Sequence, residues 1–117
     1  MLADYKQVMK TVADPTRARI LKMLQSGELC TAQLVAILKL AQPTVTKHLA
    51  LLSAAGLLQT RKYYRWVFYR LSTTPPNRYA RTALKNLNTW LDDDPTVRAD
   101  AKAAARIRKR PLSRLYQ

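Results

Sequence analysis

Apolar side chains recur every three or four residues along the first quarter of the chain, which is the spacing of one face of an α-helix. A first amphipathic helix is indicated by Leu2, Tyr5, Val8, Met9 and Val12. Asp14 is a suitable N-cap for a second helix, and Pro15 suits its first position. Ser26 and Gly27 are typical of its end. The apolar side of this second helix consists of Ile20, Leu21 and Leu24.

A third and a fourth helix follow, separated by a short link at residues 39–41. Thr31 can cap the third helix, and Pro43 suits the start of the fourth. The buried side of the third helix is predicted to be Leu34, Ile37 and Leu38. In the fourth helix, the apolar side consists of Val45, Leu49 and Leu52, and Thr46, Lys47 and Ala50 point roughly the opposite way. This polar side is therefore free to contact another molecule. Gly56 is suited to end the helix in a left-handed cap.

The next segment predicts a β-hairpin. Residues 58–61 and 66–71 are rich in leucine, aromatic and β-branched side chains, and they flank the letters KYYR. On the second strand Trp66 and Phe68 share one face, and Val67, Tyr69 and Leu71 share the other. A further helix from Tyr79 has an apolar stripe of Ala83, Leu84, Leu87, Trp90 and Leu91. Asp94 and Pro95 then open a last helix, which is basic, rich in alanine and expected to have little apolar surface.

These elements predict a mainly α fold with a small β-hairpin, in the order α-α-α-α-β-β-α with a further C-terminal helix. Two helices joined by a tight turn and followed by a hairpin form a winged helix-turn-helix. We expect residues 1–91 to form the DNA-binding and dimerisation domain and residues 92–117 to form a basic C-terminal helix or tail. A domain of this size buries a limited share of its surface, so a partner subunit would stabilise it.

The charge of the chain narrows the choice of partner. Twenty-one Lys and Arg residues against seven Asp and Glu give a formal charge of +14. Residues 61–91 include seven of these cations and no acid. So large an excess indicates a polyanion, with nucleic acid as the leading candidate, because a basic face without a partner is destabilised by self-repulsion.

Other features of the composition indicate the compartment. No signal peptide and no apolar stretch of about 20 residues, the length that crosses a bilayer, is present. The single cysteine cannot form an intrachain disulfide, which suits a reducing compartment. We therefore expect a cytoplasmic protein that has no membrane partner.

Four stretches of the chain resemble the ArsR (arsenic-repressor) family of bacterial winged-helix regulators. They are ADPTRARILKML, GELC, LAQPTVTKHLALLSAAGLL and RWVFYRL, and the resemblance covers residues 2–91. It implies a homodimeric repressor whose fourth helix enters the major groove, whose wing reaches flanking DNA, and which an effector releases. It also implies a dimer interface of the first helix and the helix around residues 79–91. The interface residues expected there are Tyr5, Val8, Leu84, Leu87, Trp90 and Leu91.

The chain departs from the family pattern at three places. Ala41 stands where members commonly have a serine N-cap. Tyr64 stands near a usual wing glycine, and a two-residue turn that needs positive φ would be strained there, so we expect a longer or distorted wing tip. The arsenic-sensing members have a Cys-x-Cys pair, whereas this chain has Cys30 at the first position and Ala32 at the second.

Other metal ligands are also scarce in the chain. Soft-metal and zinc sites need several converging Cys, His or carboxylate groups, and a dimer offers only two copies each of Cys30 and His48. The family's other common site, of Asp and His on the C-terminal dimer helix, has no histidine here. We expect no metal and no cofactor, and an unknown effector such as a small metabolite or a thiol oxidant acting on Cys30. The alternative is a metal- or metalloid-responsive repressor that combines Cys30 with ligands from elsewhere.

The candidate DNA-binding residues lie on the fourth helix and the wing. Side chains at the N-terminal half of a major-groove helix reach base edges, and here they are Gln42, Thr44, Thr46 and Lys47. The wing tip suits phosphate or minor-groove contacts through Lys62, Tyr63, Tyr64 and Arg65. His48 has no nucleophile or acid beside it in the sequence, and the chain has no glycine-rich phosphate loop, so no enzyme is expected.

We therefore predict a homodimer that binds double-stranded DNA at an inverted repeat, with half-sites about one helical turn apart. A winged-helix module that binds protein or RNA is the main alternative of another class, and the polar, basic face of residues 42–47 disfavours it. A membrane-surface protein is a weaker alternative, because the last helix lacks an aromatic or leucine face that would insert.

Overall fold

The computed structural model describes residues 1–113, in which six α-helices surround a small antiparallel sheet. The helices are α1 (Leu2–Ala13), α2 (Pro15–Met23), α3 (Thr31–Leu38), α4 (Gln42–Ala54), α5 (Arg78–Leu87) and α6 (Pro95–Arg108). The strands are β1 (Leu29–Cys30), β2 (Leu58–Tyr63) and β3 (Trp66–Leu71). The predicted fold class, a mainly α winged helix-turn-helix with a hairpin and a further C-terminal helix, is confirmed.

The sheet has one strand more than the predicted hairpin. Its order is β1-β3-β2, with both pairings antiparallel, and Cys30 lies opposite Phe68. A strand of two residues shows no alternation in the sequence, so only its pairing with β3 reveals it. Through β1, the wing is joined to the chain segment that leads into α3.

The core contains side chains from all six helices and from the sheet. The apolar sides predicted for α2 and α4 are fully buried, and Leu34 and Leu38 of α3 are buried with them. Ile37 is only partly buried and packs at the edge of the core. The correct prediction of these sides follows from the helical period, because residues three or four apart face the same way.

Most helix ends are those that the sequence predicts. The side chain of Asp14 accepts a hydrogen bond from the Arg17 backbone N–H at 3.0 Å. At the end of α4, Gly56 has φ 76°, and its N–H and that of Leu57 donate to carbonyls of the last turn, as in a Schellman cap. The expected cap of α3 was wrong by one residue. Cys30 takes the N-cap position and Thr31 is the first helical residue.

Helix α5 is shorter than its apolar stripe predicts. It ends at Leu87, whose carbonyl accepts hydrogen bonds from the Lys22 ammonium and the Gln25 amide, both at 2.7 Å. These side chains satisfy a carbonyl at the end of the helix. Trp90 and Leu91, expected on the same helix, therefore lie in the turn that follows it, where Leu91 has φ 67°.

Helix α6 packs against α2 and α3, and the expectation that it has little apolar surface was wrong. It buries Val97, Ala104 and Ile107. Its single acid, Asp100, is buried and accepts two hydrogen bonds from the Arg19 guanidinium, at 2.8 and 2.9 Å. The predicted helix is thus present, and the last four residues of the predicted 92–117 segment, 114–117, lie outside the described residues.

Candidate nucleic-acid interface

The outer side of α4 exposes polar side chains, while its opposite side is packed into the core. Val45, Leu49 and Leu52 are completely buried, which fixes the rotation of the helix about its axis. The four side chains predicted to read bases are all exposed on the remaining surface, and they are Gln42, Thr44, Thr46 and Lys47. Amide, hydroxyl, methyl and ammonium groups are therefore presented together by a rigidly mounted helix.

The start of α4 is open. Ala41 occupies the N-cap with extended backbone angles, and its side chain caps nothing. The preceding Lys39 adopts the left-handed conformation, φ 57° and ψ 38°, which turns the chain sharply out of α3. Pro43 has no N–H, and the Thr44 N–H donates to the Ala41 carbonyl at 3.0 Å, so the positive end of the helix dipole, and not a row of free N–H groups, favours an anion here.

The wing tip is a two-residue turn, and the expectation of a longer tip was wrong. Tyr63 pairs with Trp66, which leaves only Tyr64 and Arg65 between the strands. Tyr64 has φ 56°, a conformation that costs a non-glycine residue about 1 to 3 kcal/mol. Its ring is 83% exposed and meets the Tyr63 ring edge-on at 4.7 Å. The four predicted wing residues, Lys62, Tyr63, Tyr64 and Arg65, are all exposed.

The base of the wing is anchored by an ion pair. The guanidinium of Arg61 on β2 donates to both carboxylate oxygens of Glu28, with an Nε to Oε2 distance of 2.9 Å. These hydrogen bonds lower the pKa of Glu28, against a smaller opposing effect of burial. The same guanidinium lies over the Phe68 ring, 4.8 Å from its centroid. Arg61 is thus engaged within the protomer, and the next residue toward the tip, Lys62, is an exposed cation.

His48 is a supporting residue on the flank of α4. It is half-buried, and its Nδ1 lies 3.4 Å from the Arg17 guanidinium. That guanidinium also donates to the Thr11 carbonyl at 2.8 Å. Through Arg17, His48 links α4 to α1 and α2, so its role is to help pack α4 against these helices.

Cys30 has the surroundings of an inert thiol. It is 1% exposed, and burial raises its pKa despite opposing effects of backbone N–H groups at the start of α3. Its own N–H donates to the Gln33 side chain at 2.8 Å. Within residues 1–113, no three His, Cys, Asp or Glu side chains converge on a point that could hold a metal ion. A raised pKa and burial both disfavour the thiolate that metal binding and oxidation require.

The six residues predicted at a dimer interface fall into two groups. Val8 and Leu87 are 1% and 5% exposed and belong to the protomer's own core, so their prediction as interface side chains was wrong. Tyr5, Trp90 and Leu91 are 49%, 57% and 40% exposed, and Leu84 is half-buried. The exposed group lies on α1, on α5 and in the turn after α5. Helices α1 and α5 pack together, with the Tyr5 and Tyr79 rings edge-on at 5.6 Å.

Three basic residues missed in the sequence lie at a second surface. Lys39, Arg106 and Arg110 line one groove between the end of α3 and the end of α6. The density of basic residues in α6 was visible in the sequence, but nothing there indicated that the helix docks beside the helix-turn-helix.

Comparison with known proteins identifies the family. Residues 14–60 match the family model described as "Bacterial regulatory protein, arsR family". The "Arsenic resistance transcriptional regulator ArsR1" of Pseudomonas putida is 40% identical over 92 residues, which are 74% of this chain and 71% of that protein. The chain belongs to the ArsR family.

Further relatives agree with this assignment. The "Arsenical resistance operon repressor" of Escherichia coli is 46% identical over 71 residues, or 60% of this chain and 61% of that protein. The solved structure "Reduced HlyU from Vibrio cholerae N16961" superposes with a TM-score of 0.62 at 35% identity, covering 74% of this chain and 86% of that one. This ArsR-family protein is thus a DNA-binding transcriptional regulator and not an enzyme. None of the helices in residues 1–113 is long and apolar enough to cross a bilayer.

Proposed function

We propose that this ArsR-family protein is a homodimeric, sequence-specific repressor that binds double-stranded DNA at an inverted repeat and is released by an effector other than a metal. The observation that carries the proposal is the outer side of α4, where four exposed polar side chains stand on a helix whose opposite side is fully buried. A helix of this kind reads base edges in the major groove with its N-terminal half.

The four side chains have the chemistry for reading bases. The amide of Gln42 can pair with adenine through two hydrogen bonds, and Lys47 can reach the acceptors of guanine. The methyl groups of Thr44 and Thr46 suit the methyl group of thymine. The wing residues Lys62–Arg65 would contact phosphates or the minor groove, which fixes the register of the helix without reading sequence.

The proposed dimer rests on the exposed apolar side chains of the α1 and α5 surface. Tyr5, Leu84, Trp90 and Leu91 lie there, and the interface they would form is the same patch on both subunits, as in an isologous dimer. We retain residues 1–91 as the DNA-binding and dimerisation region, to which α6 is added. The sign of regulation is proposed from relatives such as the Escherichia coli operon repressor. A cytoplasmic location stays a prediction.

The first test is selection of duplexes from a random DNA library by the full chain. We expect an inverted repeat with half-sites about 34 to 36 Å apart, one helical turn, because two dyad-related helices must meet successive major grooves. Enrichment of single half-sites or direct repeats would contradict the dimer geometry. No enrichment at all would contradict sequence-specific binding.

A matched pair of variants then distinguishes residues that read the base sequence from residues that contact phosphates and position the protein on the DNA. Lys47→Ala should weaken binding to the selected duplex by roughly 1 to 3 kcal/mol and leave random DNA little affected. Arg65→Ala should weaken both duplexes alike. Equal losses on both duplexes for Lys47→Ala would reassign Lys47 to phosphate contact. For the parent, with about 8 phosphate contacts per dimer, log affinity should fall against log salt with a slope of about −7.

The effector is tested on the DNA complex under reducing conditions. We expect near-equimolar arsenite, cadmium or zinc to leave the complex nearly unchanged, because Cys30 is buried and has no second thiol in this chain. Cys30→Ser should bind DNA like the parent. Release by near-equimolar metal that is abolished in Cys30→Ser would favour the metal-responsive alternative.

A further inference from the structure

We propose that the end of α6, together with Lys39, forms a second phosphate-binding surface that extends the DNA contact beyond α4 and the wing. The surface consists of Lys39, Arg106 and Arg110, and we call it the α6 patch. The inference rests on the proposed function, because α4 must lie in the major groove for the α6 patch to face the DNA backbone.

The position of the α6 patch is set by the helix-turn-helix itself. Lys39 ends α3 and lies three residues before Gln42, the first residue of α4, a distance of at most about 10 Å. Arg106 and Arg110 line the same groove as Lys39. In helix-turn-helix proteins the first helix of the pair crosses the DNA backbone while the second enters the groove. Cations at the joint between α3 and α4 are therefore near phosphates.

The charge of α6 is arranged toward the outside. Its outward side and the residues just after it expose five cations, which are Arg98, Lys102, Arg106, Lys109 and Arg110. Asp100, the single acid of α6, also lines the groove of the α6 patch, but it is buried and paired with the Arg19 guanidinium at 2.8 Å. In the part of the chain that the structure describes, Arg106 and Arg110 have no acidic partner. The patch therefore has its positive charge available for an external anion.

Stability of the helix does not account for this arrangement. Like charges four residues apart, as in Arg98 and Lys102 or Lys102 and Arg106, destabilise a helix by about 0.2 to 0.5 kcal/mol per pair. The helix dipole favours cations in the last turn, but it disfavours Arg98 in the first turn and has no bearing on Lys39, which lies on another element. A polyanionic partner at the end of α6 explains why Lys39, on another element, lines the same groove as Arg106 and Arg110.

Helix α6 is held against the rest of the protomer at its middle and at its end. Arg19 and Asp100 join its middle to α2 through two hydrogen bonds. Near its end, the Arg108 guanidinium donates to the carbonyls of Met23, Gly27 and Glu28 and to the Ser26 hydroxyl. Arg108 is thus used inside the protomer, and it holds the neighbouring Arg106 and Arg110 at a fixed place beside α3. Because the backbone of the helix end is already fixed, only the side chains of Arg106 and Arg110 need to be ordered on binding a phosphate.

The test compares two double variants of the full chain that remove equal charge. Arg106→Gln/Arg110→Gln, called the α6 patch variant, removes two of the three cations of the α6 patch, and Arg98→Gln/Lys102→Gln removes two cations from the far half of the helix. Arg98 and Arg106 are about 12 Å apart along the axis, so a local contact distinguishes them. Because all four side chains are exposed, the free energy of unfolding should change by no more than about 0.5 kcal/mol in either variant.

Binding is measured on the selected duplex and on a random duplex over a series of salt concentrations. Removal of the α6 patch should weaken binding to both duplexes roughly tenfold at low salt, and the salt slope should become shallower by about 0.9 for each phosphate that the variant no longer neutralises. The far variant should weaken binding clearly less, because it acts only through the overall charge. The single variant Lys39→Asn, in which Asn tolerates the left-handed backbone, should weaken binding in the same way as the α6 patch variant and to a smaller extent.

The outcomes separate this inference from the proposed function. Equal losses of affinity in the two double variants, or none in the α6 patch variant, would overturn the α6 patch while the selected inverted repeat still supports the proposed function. Failure to select any sequence would overturn the proposed specificity, and the salt slopes on random duplex would still decide the α6 patch. If the parent bound double-stranded RNA as tightly as the selected duplex, with the same sensitivity to these variants, both proposals would be wrong.

Discussion

Helices α4 and α6 have similar lengths, 13 and 14 residues, and each begins with a proline near its N-terminus. They differ in how they are held. Helix α4 is anchored by Val45, Leu49 and Leu52 and has no side-chain cap. Helix α6 is anchored by Val97, Ala104 and Ile107, by a cap from Asp94 and by the ion pair of Asp100.

The outward sides of the two helices differ in a corresponding way. Helix α4 presents mostly uncharged hydrogen-bonding groups, which distinguish one base from another. The charged groups that α6 exposes are all cations, which are attracted to any phosphate. Apolar packing thus anchors the proposed sequence-reading helix, whereas polar links add to the apolar packing of a helix that would increase affinity without specificity. Four sets of variants test this difference between the helices.

The largest effect is expected from Leu49→Ala, which tests apolar anchoring of α4. Leu49 is fully buried, and truncation of such a leucine lowers the free energy of unfolding by about 2 to 5 kcal/mol. Urea denaturation measures the decrease. Leu51→Ala is the control on the same helix, because Leu51 is 40% exposed and should change stability little. Similar decreases in both variants would mean that the buried side of α4 does not anchor it.

Asp100→Ala tests the polar anchoring of α6. The variant removes two charge-assisted hydrogen bonds and leaves Arg19 partly buried, so the free energy of unfolding should fall by about 2 kcal/mol. Amide hydrogen exchange should rise most in α6. The control is Asp93→Ala, because Asp93 is exposed. A decrease larger than that of Leu49→Ala, or faster exchange in α4 than in α6, would contradict the proposed difference in anchoring.

Ala41→Ser adds to α4 the kind of cap that α6 already has. Ala41 has the extended backbone angles of an N-cap and an exposed side chain, so the serine hydroxyl can accept from an N–H of the first turn. Thermal unfolding should show a gain of about 1 kcal/mol. Asp94→Ala, which removes the cap of α6, should show a decrease of similar size. No gain in Ala41→Ser would mean that solvent already satisfies the start of α4.

The smallest effect concerns Glu28, whose carbonyl contacts α6 through Arg108 and whose side chain contacts the wing through Arg61. Because the pKa of Glu28 is lowered in the folded state, its pair stabilises the protein above the ordinary value of 4.5, and this stabilisation is lost as the pH falls through the lower folded value. Glu28→Gln should therefore be slightly less stable than the parent near neutral pH, and the difference should vanish in acid. Arg61→Gln should give the same pH dependence, and a difference that grows in acid would contradict the assignment.

The exposure of the candidate base-reading residues could be predicted from the sequence because a single helix determines it, and their role in binding DNA stays a prediction. The period of α4 is enough to place Gln42, Thr44, Thr46 and Lys47 away from the buried side, and they are exposed. The α6 patch could not be predicted in this way. Lys39 and Arg106 are separated by 67 positions in the sequence, and no local pattern indicates which helix face docks against which.

Local sequence was enough to specify the elements of this protein and several of their ends. The helical stripes of α2 and α4, the caps at Asp14 and Asp94 and the left-handed end at Gly56 were all predictable. Each depends on side chains or backbone groups within about one or two turns, so the physical cause lies within a few residues of its effect.

Which apolar and polar groups are covered depended on the tertiary structure. Val8 and Leu87 have the same spacing as exposed members of their stripes, and only the packing of α1 and α5 places them in the core. Arg19 and Asp100 meet across 81 residues, and this contact turns a basic C-terminal segment into a docked helix. Burial and ion pairing depend on how elements that are distant in the sequence pack together. A local sequence pattern has no information about this packing.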